Sequence, residues 1–172
     1  MSYDKLSKEL STESISFEKK QSRNSLQDGS EISEDLKTLL INFQTAIAFS
    51  NGAKFKTPKK IPAGDNNGFV YLDIIYGLAS DSNNIYYKNR MYSNQINGEF
   101  YTFGESGGGD QFCVNKKTGE VYYWYHEAKD DASSLFLIAP SFIDFFEHLV
   151  PDNDENDSKD DDNGIVSAKF NF

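Results

Sequence analysis

Leu36, Leu39, Leu40, Phe43 and Ile47 recur three or four residues apart, the spacing that stacks side chains on one face of an α-helix. Ser33 stands at the N-cap position, with Glu34 and Asp35 in the first turn, where acids are favoured by the helix dipole. The pattern predicts a helix that stops at Asn51-Gly52, glycine being common where a chain leaves a helix left-handed. Residues 54–67, with Pro58 and Pro62, read as a connection ending in the turn-rich stretch 64–68. The aromatic and β-branched run 69–75 predicts a strand, as does 100–103. Residues 80–92 admit either loop or helix.

The stretch 104–124, GESGGGDQFCVNKKTGEVYYW, predicts a hairpin. A glycine run leads into a short strand over 111–115, and the tight connection 115–119 returns the chain into an aromatic strand. Along that second strand Tyr122, Trp124 and His126 alternate with Val121, Tyr123 and Tyr125. One set must face the helices and the other must face outward. Residues 140–149 predict a short helix with Phe142, Phe145, Phe146 and Leu149 on its apolar side. In 165–172, Val166, Ala168, Phe170 and Phe172 alternate as in a final strand, which makes 151–163 an acidic loop rather than a tail. Residues 1–30 carry sparse apolar positions and read as a loosely ordered arm or a short helix. The sum is a single α+β domain over 31–150, a mixed or antiparallel β-sheet flanked by helices.

Charge changes this picture in one place. Of the net −10, the segment 151–163 supplies −6 through Asp152, Asp154, Glu155, Asp157, Asp160, Asp161 and Asp162 against Lys159, leaving −4 for the other residues. An acidic chain repels nucleic-acid phosphates, so a basic protein partner is expected and nucleic acid is not. Cys113 is the only cysteine, which excludes an internal disulfide. No apolar stretch approaches the roughly 20 residues of a membrane helix, and the opening MSYDKLSKEL lacks the apolar core of a signal peptide. The expected location is therefore the cytoplasm, away from membranes.

Several short motifs then fall in a recognisable order. Gly108-Gly109-Asp110, the strand Phe112-Cys113-Val114, Gly119, the strand through Trp124 with His126-Glu127, and Ile138-Ala139-x-Ser141-Phe142-x-x-Phe145 resemble the core of the SUKH superfamily. Upstream, Phe49-Ser50-Asn51-Gly52-Ala53 resembles its helix-ending Asn-Gly element, and Tyr76-Gly77-Leu78 its aromatic-Gly-Leu element. The superfamily includes fungal Smi/Knr-type cell-wall regulators and many bacterial immunity proteins. The likeness covers residues 32–149, implies a SUKH-like fold and favours a helix within 80–92.

The chemistry of catalysis is sparse. The glycine run is followed by Gln111-Phe112 where a phosphate loop needs Lys and Ser or Thr. Cys113, between two apolar strand neighbours, reads as a packed hydrophobe. His126 and His148 do not form a zinc signature. The acidic segment places Asp157 and Asn163 where a calcium loop needs Gly and Glu. No cofactor, metal or catalytic residue is therefore expected, and an enzymatic reading would gain if Glu105, Asp110 and His126 converged in a deep pocket.

What the resemblance implies is a non-enzymatic immunity protein that neutralises a cognate toxin, often a nuclease, by direct binding. The alternative it offers is a regulatory or scaffolding adaptor akin to the fungal cell-wall regulators. The candidate contact surface comprises Glu105, Asp110, Tyr122, Trp124, His126 and Glu127. Of these, Asp110, Trp124, His126 and Glu127 coincide with the superfamily pattern, while the acids of 152–162 would steer a basic partner inward.

Overall fold

The computed structural model describes the backbone of residues 12–15 and, in full, residues 26, 32–130 and 133–152. Within these bounds lie nine strands: β1 (Thr12–Ile15), β2 (Ala46–Phe49), β3 (Lys54–Lys56), β4 (Phe69–Tyr71), β5 (Ile74–Ile75), β6 (Phe100–Glu105), β7 (Gln111–Asn115), β8 (Val121–Trp124) and β9 (Leu135–Ala139). Three helices accompany them: α1 (Glu34–Phe43), α2 (Ile85–Met91) and α3 (Phe142–Glu147). Seven strands form one sheet in the order β1-β2-β5-β6-β7-β8-β9, antiparallel throughout, while β3 and β4 form a separate two-stranded sheet. The chain is an α+β domain. No helix among the described residues is long and apolar enough to cross a membrane.

Helix α1 begins where expected: the Ser33 hydroxyl accepts a hydrogen bond from the Leu36 amide at 3.4 Å, and Leu36, Leu39 and Leu40 are buried. It ends eight residues early. Gln44 turns left-handed at φ 59°, its amide donates to the Leu40 carbonyl at 2.9 Å, and the chain becomes strand β2. Ile47 is buried, but as a strand residue paired with Ile75. The reason lies across the fold. The amides of Leu78 and Ala79 both donate to the Gln44 carbonyl, and Gly77 packs so closely that a Cβ there would stand 2.3 Å from the Thr45 carbonyl carbon. Asn51-Gly52 instead turns β2 into β3.

The single strand expected over 69–75 divides at Leu72-Asp73, β4 joining the small sheet and β5 the large one. The connection expected over 54–67 contains β3. Residues 80–92 hold both readings, a loop as far as Asn84 and then α2, whose first turn is capped by the Asn84 side chain accepting from the Tyr87 amide at 3.0 Å. Strand β9 was not among the expected elements. In the stretch expected as a loose arm or short helix, Thr12–Ile15 adds an edge strand to β2. The final strand expected over 165–172 lies outside the described residues.

The two faces of β7 and β8 carry two cores, as their alternation requires. Phe112, Val114, Val121 and Tyr123 join the main core with α1 and α3, where the Phe103 ring meets Phe142 at 5.2 Å and Phe145 at 5.6 Å. On the other face Cys113, Trp124 and Ile96 form a smaller cluster with Tyr92, Phe100 and Leu135 packed against it. Both aromatic faces are thus largely covered.

Helix α2 also repairs a gap in the sheet. Strand β5 reaches only Ile74 and Ile75, so the outer edge of β6 at Thr102 has no strand partner there. The Asn89 side chain takes that place, accepting from the Thr102 amide at 2.9 Å and donating to its carbonyl at 2.8 Å. Buried backbone polar groups must be paired, and one amide side chain supplies both a donor and an acceptor.

Candidate functional site

The glycine-rich segment turns the chain from β6 into β7. Its short 3₁₀ turn, Gly107–Gly109, passes through φ 87° at Gly108, a left-handed angle that glycine adopts without steric cost. The Ser106 amide donates to the Asp110 carbonyl at 3.0 Å and closes the loop. This delivers Asp110 to the start of β7, and because Gln111 pairs with Trp124, it lies beside the end of β8.

There Asp110 becomes a buried acceptor. One carboxylate oxygen receives the Tyr123 hydroxyl at 2.8 Å, and the other receives the His126 amide at 3.0 Å and contacts His126 Nδ1 at 2.6 Å. The Asp110 side chain is 8% exposed and that of His126 38%. A carboxylate can only accept, so Nδ1 carries the proton and Nε2 is left as the free nitrogen of a half-exposed ring. Burial pushes the Tyr123 phenol far above its usual range, with the adjoining Asp110 charge adding to the effect. Tyr123 therefore acts as a fixed donor.

A cleft of about 650 Å³ opens over this pair, lined by Ala63, Tyr71, Asp73, Ser106, Gly107, Gly108, Asp110, Tyr123, Tyr125, His126 and Glu127. The Asp73 carboxyl is raised above the usual carboxylate range by partial burial first and by the Glu105 charge second. The Tyr125 hydroxyl donates to Glu127 at 2.8 Å, which raises the phenol. Tyr71 donates to Asp65 at 2.9 Å. Asp65 also accepts from the Asn67 and Phe69 amides, and the Phe69 bond does most to hold its carboxyl below the usual range. The cleft therefore presents one imidazole among carboxylates and tyrosine rings. Such a surface suits a basic, hydrogen-bonding partner group.

The six expected contact residues do not form one patch. Asp110, His126 and Glu127 meet at the cleft. Glu105 does not line it: its carboxylate pairs with Lys88 at 2.8 Å, and the Tyr76 hydroxyl stands between Glu105 at 2.7 Å and Gln111 at 2.6 Å. Trp124, 6% exposed, packs edge-on to Tyr92 in the smaller core. Tyr122 is half-buried on that same face, edge-on to Phe100. Asp152 pairs with Lys54 at 2.6 Å, and Asp154, Glu155, Asp157, Asp160, Asp161 and Asp162 lie outside the described residues. Glu105 therefore does not join Asp110 and His126 at the cleft.

Cys113 is fully buried, its thiol pushed far up by burial, which agrees with a packed hydrophobe. Among the described residues no three His, Cys, Asp or Glu side chains are grouped to hold a metal ion. Asp73, Ser106, Tyr71, Tyr123 and Tyr125 also line the cleft and were not among the expected contacts. Tyr123 and Tyr125 had a signal, their place in the alternating aromatic strand.

Residues 17–148 match the sequence profile of the SMI1 / KNR4 family (SUKH-1). The chain belongs to this family. It is 32% identical over 108 residues to the SPbeta prophage-derived uncharacterized protein YokK of Bacillus subtilis (strain 168). That alignment covers 62% of this chain and 56% of the relative, so the likeness spans little more than half of the relative's length. No solved structure matches. Within this SUKH-1 chain, the cleft residues Tyr71, Asp73, Asp110, Tyr123, Tyr125, His126 and Glu127 all lie inside the matched span.

Proposed function

We propose that this SUKH-1 protein is a non-enzymatic immunity protein, acting in the cytoplasm by binding and occluding a basic cognate toxin domain. The observation that carries the reading is the cleft itself, in which a buried carboxylate holds a half-exposed imidazole in a lining shared with Asp73, Glu127 and the tyrosines Tyr71, Tyr123 and Tyr125. The arrangement is rigid before binding, because Asp110 is held by three donors from β8 and the residues after it. Preorganisation of that kind lowers the entropy cost of association. Carboxylates at the rim favour encounter with a basic surface, and tyrosines supply contact area at low entropy cost. The reading also accounts for what stands near the imidazole: acceptors and aromatic rings, with the only thiol sealed in the sheet.

Co-expression with a polymorphic-toxin C-terminal domain encoded beside its gene tests the proposal. Growth should be restored by the native chain. It should be lost with His126→Ala combined with Glu127→Lys, provided the variant remains folded. No complex and no rescue with the neighbouring toxin would overturn the pairing and favour the adaptor role.

A further inference from the structure

The cleft beside His126 is lined by three carboxylates, Asp73, Asp110 and Glu127, and among the described residues by no lysine or arginine. The three acids are not equivalent. Asp110 is satisfied by its three donors, and one oxygen of Glu127 takes the Tyr125 hydroxyl. Asp73 stands at the turn between β4 and β5, its amide donating to the Glu105 carbonyl at 3.0 Å. Among the described residues, no hydrogen bond or ion pair reaches its carboxylate. Partial burial and the Glu105 charge, of the same sign and already paired to Lys88, raise the carboxyl above its usual range. The Tyr123 phenol feels both Asp110 and Asp73, which brings the two acids close to one hydroxyl. Groups left uncompensated in this way gather at functional sites.

What the cleft offers an occupant is therefore acceptors: the Asp73 carboxylate, the other oxygen of Glu127 and, in the neutral imidazole, His126 Nε2, since Nδ1 turns its proton to Asp110. Tyr71 and Tyr125 add ring walls. Gly107 and Gly108 keep the loop beneath bare, and a Cβ at Gly107 would stand 3.3 Å from Asp73 Oδ2. The group that fits is cationic, rich in N–H donors and flat. An ammonium brings the charge, but as a compact, strongly hydrated point. A guanidinium carries five donors in a planar fork, pairs bidentately with a carboxylate and stacks on aromatic rings. Its fork also reaches acceptors supplied by separate segments of chain, here the β4–β5 turn and the residues after β8.

We propose that the cleft is the receptor for one arginine side chain of the basic partner, its guanidinium forked onto Asp73, bridged to Glu127 and His126, and laid against the tyrosine walls. This rests on the reading of the cleft as the contact surface and names the group that enters it. Asp110 is then a positioning residue, which decides which imidazole nitrogen is left to accept.

N-acetyl-arginine amide and N-acetyl-lysine amide, titrated separately into the full chain and followed by amide NMR, test this. The arginine probe should shift the amides of 106–110 and 123–127 and bind about 10-fold more tightly than the lysine probe. Asp73→Asn keeps the shape and breaks no side-chain bond among the described residues, so the variant should fold. It should weaken the arginine probe by about 10-fold or more. Glu127→Gln should weaken it less, because Tyr125 already holds one oxygen. Equal binding of the two probes would overturn the proposal, as would cleft amides that do not move or a titration indifferent to Asp73→Asn. The probes need no toxin, so such a failure leaves the growth-rescue test of the immunity reading standing. Arginine bound at the cleft of a chain that rescues nothing would support the site and count against the toxin as its partner.

Discussion

Replacing Asp110 with alanine should be among the more damaging single changes at the cleft. The carboxylate is the acceptor for the Tyr123 hydroxyl at 2.8 Å, the His126 amide at 3.0 Å and His126 Nδ1 at 2.6 Å. Tyr123 is 1% exposed, so its hydroxyl loses its carboxylate acceptor when Asp110 goes and is left with the Ser106 side chain at the cleft wall. A buried group left without its partner costs about 1–3 kcal/mol, and the His126 amide adds a second, partly exposed, loss. Together these give about 3–4 kcal/mol. For a chain of this size the midpoint should fall by about 10 °C, at roughly 3 °C per kcal/mol. Tyr123→Phe is the control: it removes that donor and keeps the ring, and should cost only about 1 kcal/mol. In the background of Tyr123→Phe the Asp110→Ala penalty should shrink, since the two share one hydrogen bond. Trp124, the only tryptophan and buried beside β7, provides the fluorescence signal for urea unfolding. A loss below about 1 kcal/mol for Asp110→Ala, or full additivity with Tyr123→Phe, would refute the reasoning.

Three further outcomes are expected. Asn89→Ala should destabilise by about 1–3 kcal/mol, with accelerated amide exchange concentrated at Thr102, because both of its backbone groups lose their partner. The Asp73 carboxyl is raised in the folded state, so its contribution to stability is present below its ordinary value of 3.8 and declines as pH rises through the folded value. Asp73→Asn should therefore leave stability in acid unchanged and raise it near neutrality, as read from urea midpoints at the two pH values. The Cys113 thiol, fully buried and raised by burial, should react with a thiol reagent only at the rate of unfolding, which a denaturant series will show.

The hairpin was legible because its signals are local. Gly119 closes the turn after Asn115, at φ 75°, and the alternation along 121–124 decides which face each ring takes. Helix α3 was legible for the same reason, with Ser141 capping it and Phe142, Phe145 and Phe146 buried at helical spacing. The end of α1 was not legible. Phe43 to Ile47 is a spacing of four, which continues a helix as naturally as it begins a strand. What decides between them is Gly77, more than thirty residues away, packed against Thr45. The edge strand β9 shows no alternation to detect, because Phe136 and Ile138 face the main core while the opposite face is also apolar, Leu135 packing on the smaller cluster and Leu137 standing exposed.

At the cleft, the sequence alone determined that Asp110, His126 and Glu127 were candidates, that Cys113 was packing, and that the chain has the ordered motifs of SUKH-1. Tertiary structure decided which of those candidates meet. Asp110 and His126 are joined only because β7 and β8 pair with Gln111 opposite Trp124, whereas Glu105 is drawn to Lys88 by a helix from elsewhere in the chain. Spacing along the chain specifies turns, caps and faces through interactions a few residues long. The partners of a buried carboxylate depend on strand register and on which helix covers the sheet, and those follow from the packing of the whole domain.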